Sequence, residues 1–140
     1  MNLFLQDSSG KMVELGKVQA TYTILVFWDP TCSHCKTEIP ALKTYTDSLK
    51  AAGVNVEVYA IYSELDYPTW KKYIKEHKHT WKDVCAKDQQ ELATAKYYYD
   101  VYSTPTLYVL DANKKIIAKR LDDKGLKTVL NRRIDMDKKK

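Results

Sequence analysis

Two cysteines separated by two residues, Cys32 and Cys35, are the side chains in this sequence best suited to chemistry. The apolar run 22–27 leads directly into them and predicts a buried strand, and the residues from Lys36 onward follow a helical spacing. We therefore expect Cys32 at a helix N-terminus, where unpaired backbone N–H groups and the helix dipole stabilise an anion. The thiolate is the form that attacks disulfides. Cys35, one turn further along, is close enough to close a disulfide with Cys32, so the motif predicts redox chemistry.

Length and composition are those of one globular domain. The chain has 140 residues, of which 44% are hydrophobic and 29% charged. The net charge of +5 comes from lysines spread along the chain, so we predict no nucleic-acid partner. No apolar run approaches the roughly 18 residues of a membrane span, and the first residues turn polar too early for a signal peptide. We expect a domain taken from a longer extracytoplasmic precursor rather than a cytosolic protein.

The order of apolar patterns predicts an α/β domain over residues 1–135, followed by a disordered basic tail, 136–140. Strands are predicted at 3–6, 12–15, 22–28, 54–62, 106–110 and 115–119, with a brief extended piece at 81–84. Helices are predicted at 32–52, 67–77 and 89–98, and from Asp122 or Asp123 to about residue 133. A β-α-β half followed by a β-β-α half gives a mixed sheet flanked by helices.

Two stretches carry a resemblance to the thioredoxin superfamily. The first, 27–40, holds the two cysteines after the buried strand, and the second, 102–111, holds a Thr-Pro-Thr sequence at the head of another strand. Over nearly the whole chain the sequence is similar to extracytoplasmic thiol–disulfide oxidoreductases of the TlpA and ResA type, especially thioredoxin-like domains of Bacteroidetes proteins. This resemblance implies a thioredoxin fold, α/β with a central mixed β-sheet flanked by helices, with an N-terminal β extension.

The resemblance also implies a set of site residues. It implies that the bond between Thr104 and Pro105 is cis and that these residues form one wall of a substrate groove. Trp28 is expected to form another wall. Glu64 follows a core strand, where ResA-like proteins keep an acidic residue near the cysteines, and it is expected to help deprotonate Cys35.

The sequence also departs from thioredoxin itself. Thioredoxin has a buried aspartate where this chain has Val26, and a tryptophan where it has Thr31. Both differences argue against a general cytosolic thioredoxin. His34 lies between the cysteines, and its charge or its N–H is predicted to stabilise the Cys32 thiolate.

Other interpretations of the cysteines stay open at this point. A CxxC pair can be half of a zinc site, and Cys85, His77 and His79 are available as further ligands. We expect Cys85 to be a buried small hydrophobe and both histidines to lie at the surface. A peroxiredoxin-type peroxidase, which shares the fold, and a non-enzymatic metal-binding module are the alternative functions.

The leading prediction is an enzyme that exchanges disulfides with protein substrates through Cys32 and Cys35. It needs no metal and no cofactor beyond its own redox-active disulfide. The expected partners are protein disulfides or dithiols and an upstream thiol electron donor. We expect a monomer located in the periplasm or elsewhere outside the cytoplasm.

Overall fold

The structure, a computed structural model, describes residues 2–139. The strands are β1 Phe4–Gln6, β2 Met12–Glu14, β3 Tyr22–Trp28, β4 Val56–Tyr62, β5 Lys82–Val84, β6 Thr106–Leu110 and β7 Ile116–Leu121. The helices are α1 Ser33–Ala51, α2 Tyr67–Glu76, α3 Gln89–Tyr99 and α4 Asp123–Lys138, with a short 3₁₀ helix at Leu15–Lys17. Across the described range, no helix combines the length and the apolar character that crossing a membrane requires.

Five strands form one mixed sheet in the order β5-β4-β3-β6-β7. Strands β3, β4 and β5 are parallel, whereas β6 runs antiparallel to β3 and β7 antiparallel to β6. Strands β1 and β2 form a separate antiparallel hairpin. Gln6 of this hairpin pairs with Cys85, directly after β5, which attaches the hairpin to the sheet. The predicted mixed sheet with an N-terminal β extension is confirmed.

Strand β3 is the central strand of the sheet. Every one of its residues is buried, as expected for a strand covered on both faces. Its alternate side chains face opposite layers. Ile24, Val26 and Trp28 belong to the core formed with α1, α2 and α4. Leu25 and Phe27 belong to the second core, formed with α3 and the N-terminal segment. The sheet therefore holds the β3–α1 junction rigidly from both sides.

The C-terminal helix is longer than predicted. The expectation of a disordered tail from Met136 is wrong as far as Lys138, because α4 continues to that residue. The carboxylate of Asp137 accepts a hydrogen bond from the Tyr22 hydroxyl on β3, which fastens the last turn of α4 to the sheet. The chain's last residue lies outside the described range.

The residue that caps the N-terminus of α1 differs in type from those that cap the other three helices. Helices α2, α3 and α4 each begin at an aspartate whose carboxylate accepts a backbone N–H, namely Asp66, Asp88 and Asp122. Helix α1 begins at Cys32, whose sulfur accepts the N–H of Cys35 instead. The first helical turn of α1 therefore directs its orphan donors at a thiol.

Candidate active site

Cys32 lies at the junction between β3 and α1, as predicted. A tight turn places it there: the Asp29 carboxylate accepts the Thr31 N–H at 2.9 Å and the Thr31 hydroxyl at 2.8 Å. The Cys32 N–H donates to the Asp29 carbonyl oxygen at 3.0 Å. Cys32 itself has extended backbone angles, φ −73° and ψ 128°, and is the N-cap residue of α1. Its sulfur consequently faces the positive end of the helix dipole.

The surroundings of the Cys32 sulfur favour its thiolate. The Cys35 N–H donates to Sγ at 3.4 Å. Burial raises the pKa of Cys32, but the side chain of Thr104, the thiol of Cys35 and the N–H groups of Cys35 and His34 outweigh it and lower the pKa below its ordinary value. In the thiol form, Sγ–H donates to the Thr104 carbonyl oxygen at 3.2 Å. That bond favours the neutral form, so it tempers the lowering without reversing it.

Cys35 has the opposite character. Its side chain is buried, with 1% of the residue exposed. Burial raises its pKa to about 12, and the hydrogen bond and charge of Cys32 add to the rise. All three cysteines, including Cys85, are free thiols in the structure, so the motif is in its dithiol form. The motif therefore pairs a half-exposed thiol whose pKa is lowered with a buried thiol whose pKa is raised.

The segment before β6 forms the opposite side of the site. Strand β6 pairs antiparallel with β3, and Thr106 lies opposite Phe27. This register brings Thr104 and Pro105, which directly precede β6, beside the end of β3 and next to Cys32. The Thr104–Pro105 bond is cis, the isomer that the resemblance implies.

Trp28 does not form a wall of a groove. Its side chain is fully buried, with its ring centroid 5.1 Å from that of Tyr73 and 5.7 Å from that of His79. The reason is the alternation along β3, which directs Trp28 toward the layer that contains α2. The predicted substrate contact of Trp28 is therefore wrong, and the residue is part of the core below the motif.

Glu64 and His34 are both exposed. Glu64 lies between β4 and α2, and within residues 2–139 no hydrogen bond joins it to either thiol of the motif. The described influence of His34 on Cys32 comes from its backbone N–H, not from its ring. The roles predicted for these two side chains stay predictions.

Residues 1–119 match the AhpC/TSA family. The chain belongs to the AhpC/TSA family. Among curated proteins it is similar to the thiol-disulfide oxidoreductase ResA of Bacillus subtilis (strain 168), with 27% identity over 116 residues. That match covers 83% of this chain and 62% of ResA, so it spans less than two thirds of the relative.

Solved structures confirm the thioredoxin-like fold of this AhpC/TSA protein. A domain of a possible thiol-disulfide isomerase from Cytophaga hutchinsonii ATCC 33406 is 39% identical, with a TM-score of 0.85, and the match covers 100% of this chain and 93% of that one. The thioredoxin domain of a thiol-disulfide oxidoreductase from Bacteroides vulgatus is 24% identical, with a TM-score of 0.82 and coverage of 94% and 92%. At that identity the second likeness shows the fold alone.

One buried polar pair was missed by sequence reasoning. His79 Nδ1 lies 2.8 Å from Asp83 Oδ2, and only 2% and 5% of the two side chains are exposed. The prediction that His79 lies at the surface is wrong, whereas His77 is exposed as expected. Burial raises the pKa of Asp83, opposed by the hydrogen bond and charge of His79. The available signal was the spacing of His79, Trp81 and Asp83, since alternate residues of an extended segment share a face.

Tyr73 connects this pair with the motif. Its ring contacts both Trp28 and His79, the latter at a centroid distance of 5.5 Å. Its pKa is raised by burial first, and then by the negative charges of Cys35 and Asp83. The Tyr73 hydroxyl is therefore within electrostatic reach of both groups, below the active-site surface of this AhpC/TSA protein.

The third cysteine and the histidines do not complete a metal site. Cys85 is buried, 5% exposed, and its backbone N–H and C=O pair with Gln6 at 2.8 and 3.2 Å. Within residues 2–139 no group of three or more His, Cys, Asp or Glu side chains is arranged to hold a metal ion. The zinc interpretation thus has no ligand set among the described residues.

Proposed function

We propose that this protein is a thiol–disulfide oxidoreductase in which Cys32 is the attacking thiol and Cys35 the resolving thiol. One observation carries the proposal: the Cys32 sulfur caps α1, with its pKa lowered, beside a buried Cys35 whose pKa is raised. Thiolate fraction and access decide which of two thiols attacks a disulfide. On both counts Cys32 is the better nucleophile.

In the first step the Cys32 thiolate attacks one sulfur of a substrate disulfide. A new S–S bond joins Cys32 to the substrate, the substrate S–S bond breaks, and the other substrate sulfur leaves as a thiolate. The half-exposed position of Cys32 permits this attack, and the helix N–H groups stabilise the thiolate without reorganisation.

In the second step Cys35 attacks the Cys32 sulfur. This closes the Cys32–Cys35 disulfide and releases the reduced substrate, so two electrons have moved from the protein to the substrate. Cys35 must first lose its proton. Formation of the mixed disulfide removes the Cys32 negative charge that contributes to the high pKa of Cys35, which makes deprotonation easier at that moment. Glu64, through water, is our proposed proton acceptor.

The names of the relatives support this proposal, since ResA is a thiol-disulfide oxidoreductase and the Cytophaga domain a possible thiol-disulfide isomerase. By the same resemblance we propose protein disulfides or dithiols as partners, a thiol donor that resets the pair, and an extracytoplasmic location. The exposed His34 ring is proposed to add its charge to the helix field when protonated, which favours the reduced form.

The experiment uses single-cysteine variants and oxidised glutathione. Cys35→Ser retains the attacking thiol but lacks the resolving one, so it should accumulate a stable mixed disulfide with glutathione, seen as an added mass. Cys32→Ser should accumulate little, because the buried thiol of Cys35 remains protonated. Cys85→Ala in both backgrounds removes any signal from the third thiol.

Equal trapping by both variants would overturn the assignment of the two roles. Failure of the wild-type protein to reduce oxidised glutathione at all would overturn the proposed function. Rapid consumption of hydrogen peroxide by Cys35→Ser would instead favour the peroxidase alternative.

A further inference from the structure

Four exposed apolar side chains lie together beside the segment 100–105. They are contributed by α3, by the loop that follows it and by β7, and we call them the tyrosine surface: Tyr97, Tyr98, Tyr102 and Ile116. Tyr97 is 89% and Tyr102 82% exposed, and all four line one shallow depression. Contiguous exposed apolar groups mark interaction sites, and tyrosine is enriched where proteins bind one another.

Arg120 holds this surface in a fixed shape. The pairing of β6 with β7 shifts register between Val109 and Leu107, which leaves an extra residue on β7. Arg120 lies in that bulge with a left-handed φ of 52°, uncommon for a residue with a side chain. Its guanidinium pairs with the Asp100 carboxylate, donates to the Asp100 carbonyl oxygen at 3.2 Å, and lies 5.3 Å from the centre of the Tyr102 ring.

A preorganised surface of this kind binds at a lower entropic cost. Asp100, the C-cap residue directly after α3, is also left-handed, with φ 60°. Asp100 and Arg120, both with left-handed backbone conformations, are therefore joined by one ion pair, and the Arg120 guanidinium lies against the exposed ring of Tyr102. Such features are kept where surrounding structure over-determines them, often beside functional sites.

The tyrosine surface is continuous with the proposed substrate groove. A smaller depression is lined by Asp100, Tyr102, Ser103, Pro105, Thr106 and Arg120. Three of these, Asp100, Tyr102 and Arg120, also line the depression of the tyrosine surface. Thr104, within the same loop, contacts Cys32. An extended chain bound across Pro105 with its cysteine at Cys32 therefore reaches Tyr102 within a few residues.

The charge around this surface selects among partners. Lys96 and Lys119 line the depression, and neither has an ion-pair partner among residues 2–139. Arg120 is neutralised by Asp100, so the two lysines leave the rim positive. Charge complementarity with Lys96 and Lys119 then favours a bound segment that carries carboxylates. Apolar side chains of the same segment would pack against the rings of the tyrosine surface.

We propose that the tyrosine surface, with Lys96 and Lys119, docks an acidic and apolar segment that flanks the reactive cysteine of a protein substrate. This inference rests on the proposed function and adds the substrate class. Small disulfides reach Cys32 without touching the tyrosine surface, whereas acidic protein segments gain contacts there.

The test compares two peptides and one small disulfide. Both peptides carry a central cysteine in a mixed disulfide with glutathione, flanked on each side by alternating Glu and Leu, or by alternating Lys and Leu. Oxidised glutathione is the small probe. The measured quantity is the second-order rate constant for reduction of each probe by the fully reduced full-length protein.

Tyr97→Ser/Tyr102→Ser should slow reduction of the Glu-Leu peptide about tenfold and leave oxidised glutathione within about twofold. Lys96→Glu/Lys119→Glu should reverse the preference, so that the Lys-Leu peptide becomes the faster of the two. Phe4→Ser/Met136→Ser, which removes exposed apolar groups from other elements, is the matched control and should behave as wild type.

Each alternative result has a definite meaning. If the wild-type protein reduces all probes and the tyrosine and lysine variants change none of the ratios, the docking proposal is wrong and the proposed function stands. If the wild-type protein reduces no probe, both are wrong. If sedimentation shows a wild-type dimer that Tyr97→Ser/Tyr102→Ser converts to a monomer, the tyrosine surface binds a second copy of the chain and the docking proposal is overturned.

Discussion

At the scale of single residues, the chemistry of the motif follows from where each sulfur meets backbone donors and water. Cys32 receives N–H groups from the start of α1 and is half-exposed, while Cys35 lies one turn deeper and is buried. The same element thus lowers one pKa and leaves the other to be raised by burial. Two identical side chains acquire different roles from a displacement of three residues.

This difference predicts a pH profile for alkylation of the reduced protein by iodoacetamide. Because its pKa is lowered, Cys32 should reach half of its maximal rate at a lower pH than an ordinary cysteine, which is half ionised at about pH 8.5. Cys35, with its pKa raised to about 12, should remain unmodified throughout the neutral range. Mass spectrometry of proteolytic fragments gives the rate at each cysteine separately. A profile for Cys32 that matches a cysteine in an unfolded peptide would contradict the role of the helix N-terminus.

Cys85 should be dispensable for disulfide exchange. Burial raises its pKa to about 11, so it carries almost no thiolate near neutral pH, and its contacts with the hairpin are made by its backbone. Cys85→Ala preserves those backbone bonds and should reduce oxidised glutathione within about twofold of wild type, with a stability loss of about 1 kcal/mol. Loss of exchange in a variant that still unfolds cooperatively would instead require a relay through the third thiol.

The site residues that the sequence predicted well are those defined by local order. The apolar run before Cys32 and the helical spacing after it determine the strand–helix junction, whatever packs around them. Trp28 and His79 could not be placed in the same way. Their burial depends on α2 and on the segment before β5 covering one face of the sheet, which is a tertiary relation between distant parts of the chain.

At the scale of elements, α4 packs in the same core as α1, and a hydrogen bond links its start to α1. The Glu38 carboxylate on α1 accepts the Asp123 N–H at 3.0 Å, and the Asp122 carboxylate accepts the Gly125 N–H at 2.7 Å. Two of the orphan donors at the start of α4 are therefore satisfied by acidic side chains, one of them from the helix that carries the motif. The start of α4 consequently links that helix to the C-terminal part of the core.

Removing the cap of α4 should destabilise the domain without altering the motif. We expect Asp122→Ala to lower the free energy of unfolding by about 1 kcal/mol, the usual cost of losing an N-cap carboxylate. Urea unfolding measures the loss, and Asp135→Ala, on the exposed face of the same helix, should stay within about 0.5 kcal/mol of wild type. The alkylation rate of Cys32 should be the same in both variants. A loss in Asp122→Ala no larger than in Asp135→Ala would show that the cap contributes nothing.

Most elements were predictable because their apolar periodicity is unbroken. The continuous run 22–28 indicates a strand buried on both faces, and the aspartates before α2 and α4 mark helix starts. The bulge at Arg120 has no comparable signal, because a shift of register is a property of the β6–β7 pair rather than of either strand. The part of α4 beyond residue 133 contains Asp137, whose hydrogen-bond partner Tyr22 is distant in sequence, so no local pattern indicates this extension.

At the scale of the whole molecule, several tyrosines packed in or against the two cores hold their hydroxyl protons more tightly than a free tyrosine does. The pKa is raised to about 12, by burial first, at four positions: Tyr22, Tyr45, Tyr62 and Tyr99. They belong to different elements and to both sides of the sheet. Ionisation of any of them places a charge against one of the two cores, which share the central sheet, so their effects should combine in one cooperative transition.

We therefore expect the domain to lose stability at alkaline pH through these residues. Below about pH 10 both the folded and the unfolded chain keep the tyrosine protons, so stability is independent of these groups. As the pH rises from about 10 toward 12, the unfolded chain releases protons that the folded chain retains. Each such tyrosine then lowers the free energy of unfolding by about 1.4 kcal/mol per pH unit.

Urea unfolding at a series of pH values measures this slope, and absorbance of tyrosinate reports the ionisation directly. Tyr22→Phe removes one titrating group together with its bond to Asp137, so it should be less stable at neutral pH but should lose stability less steeply above about pH 10. Tyr97→Phe alters an exposed ring and should keep the wild-type slope. Equal slopes for wild type and Tyr22→Phe, or stability that is constant up to about pH 12, would mean that the buried hydroxyls ionise without opposing the fold.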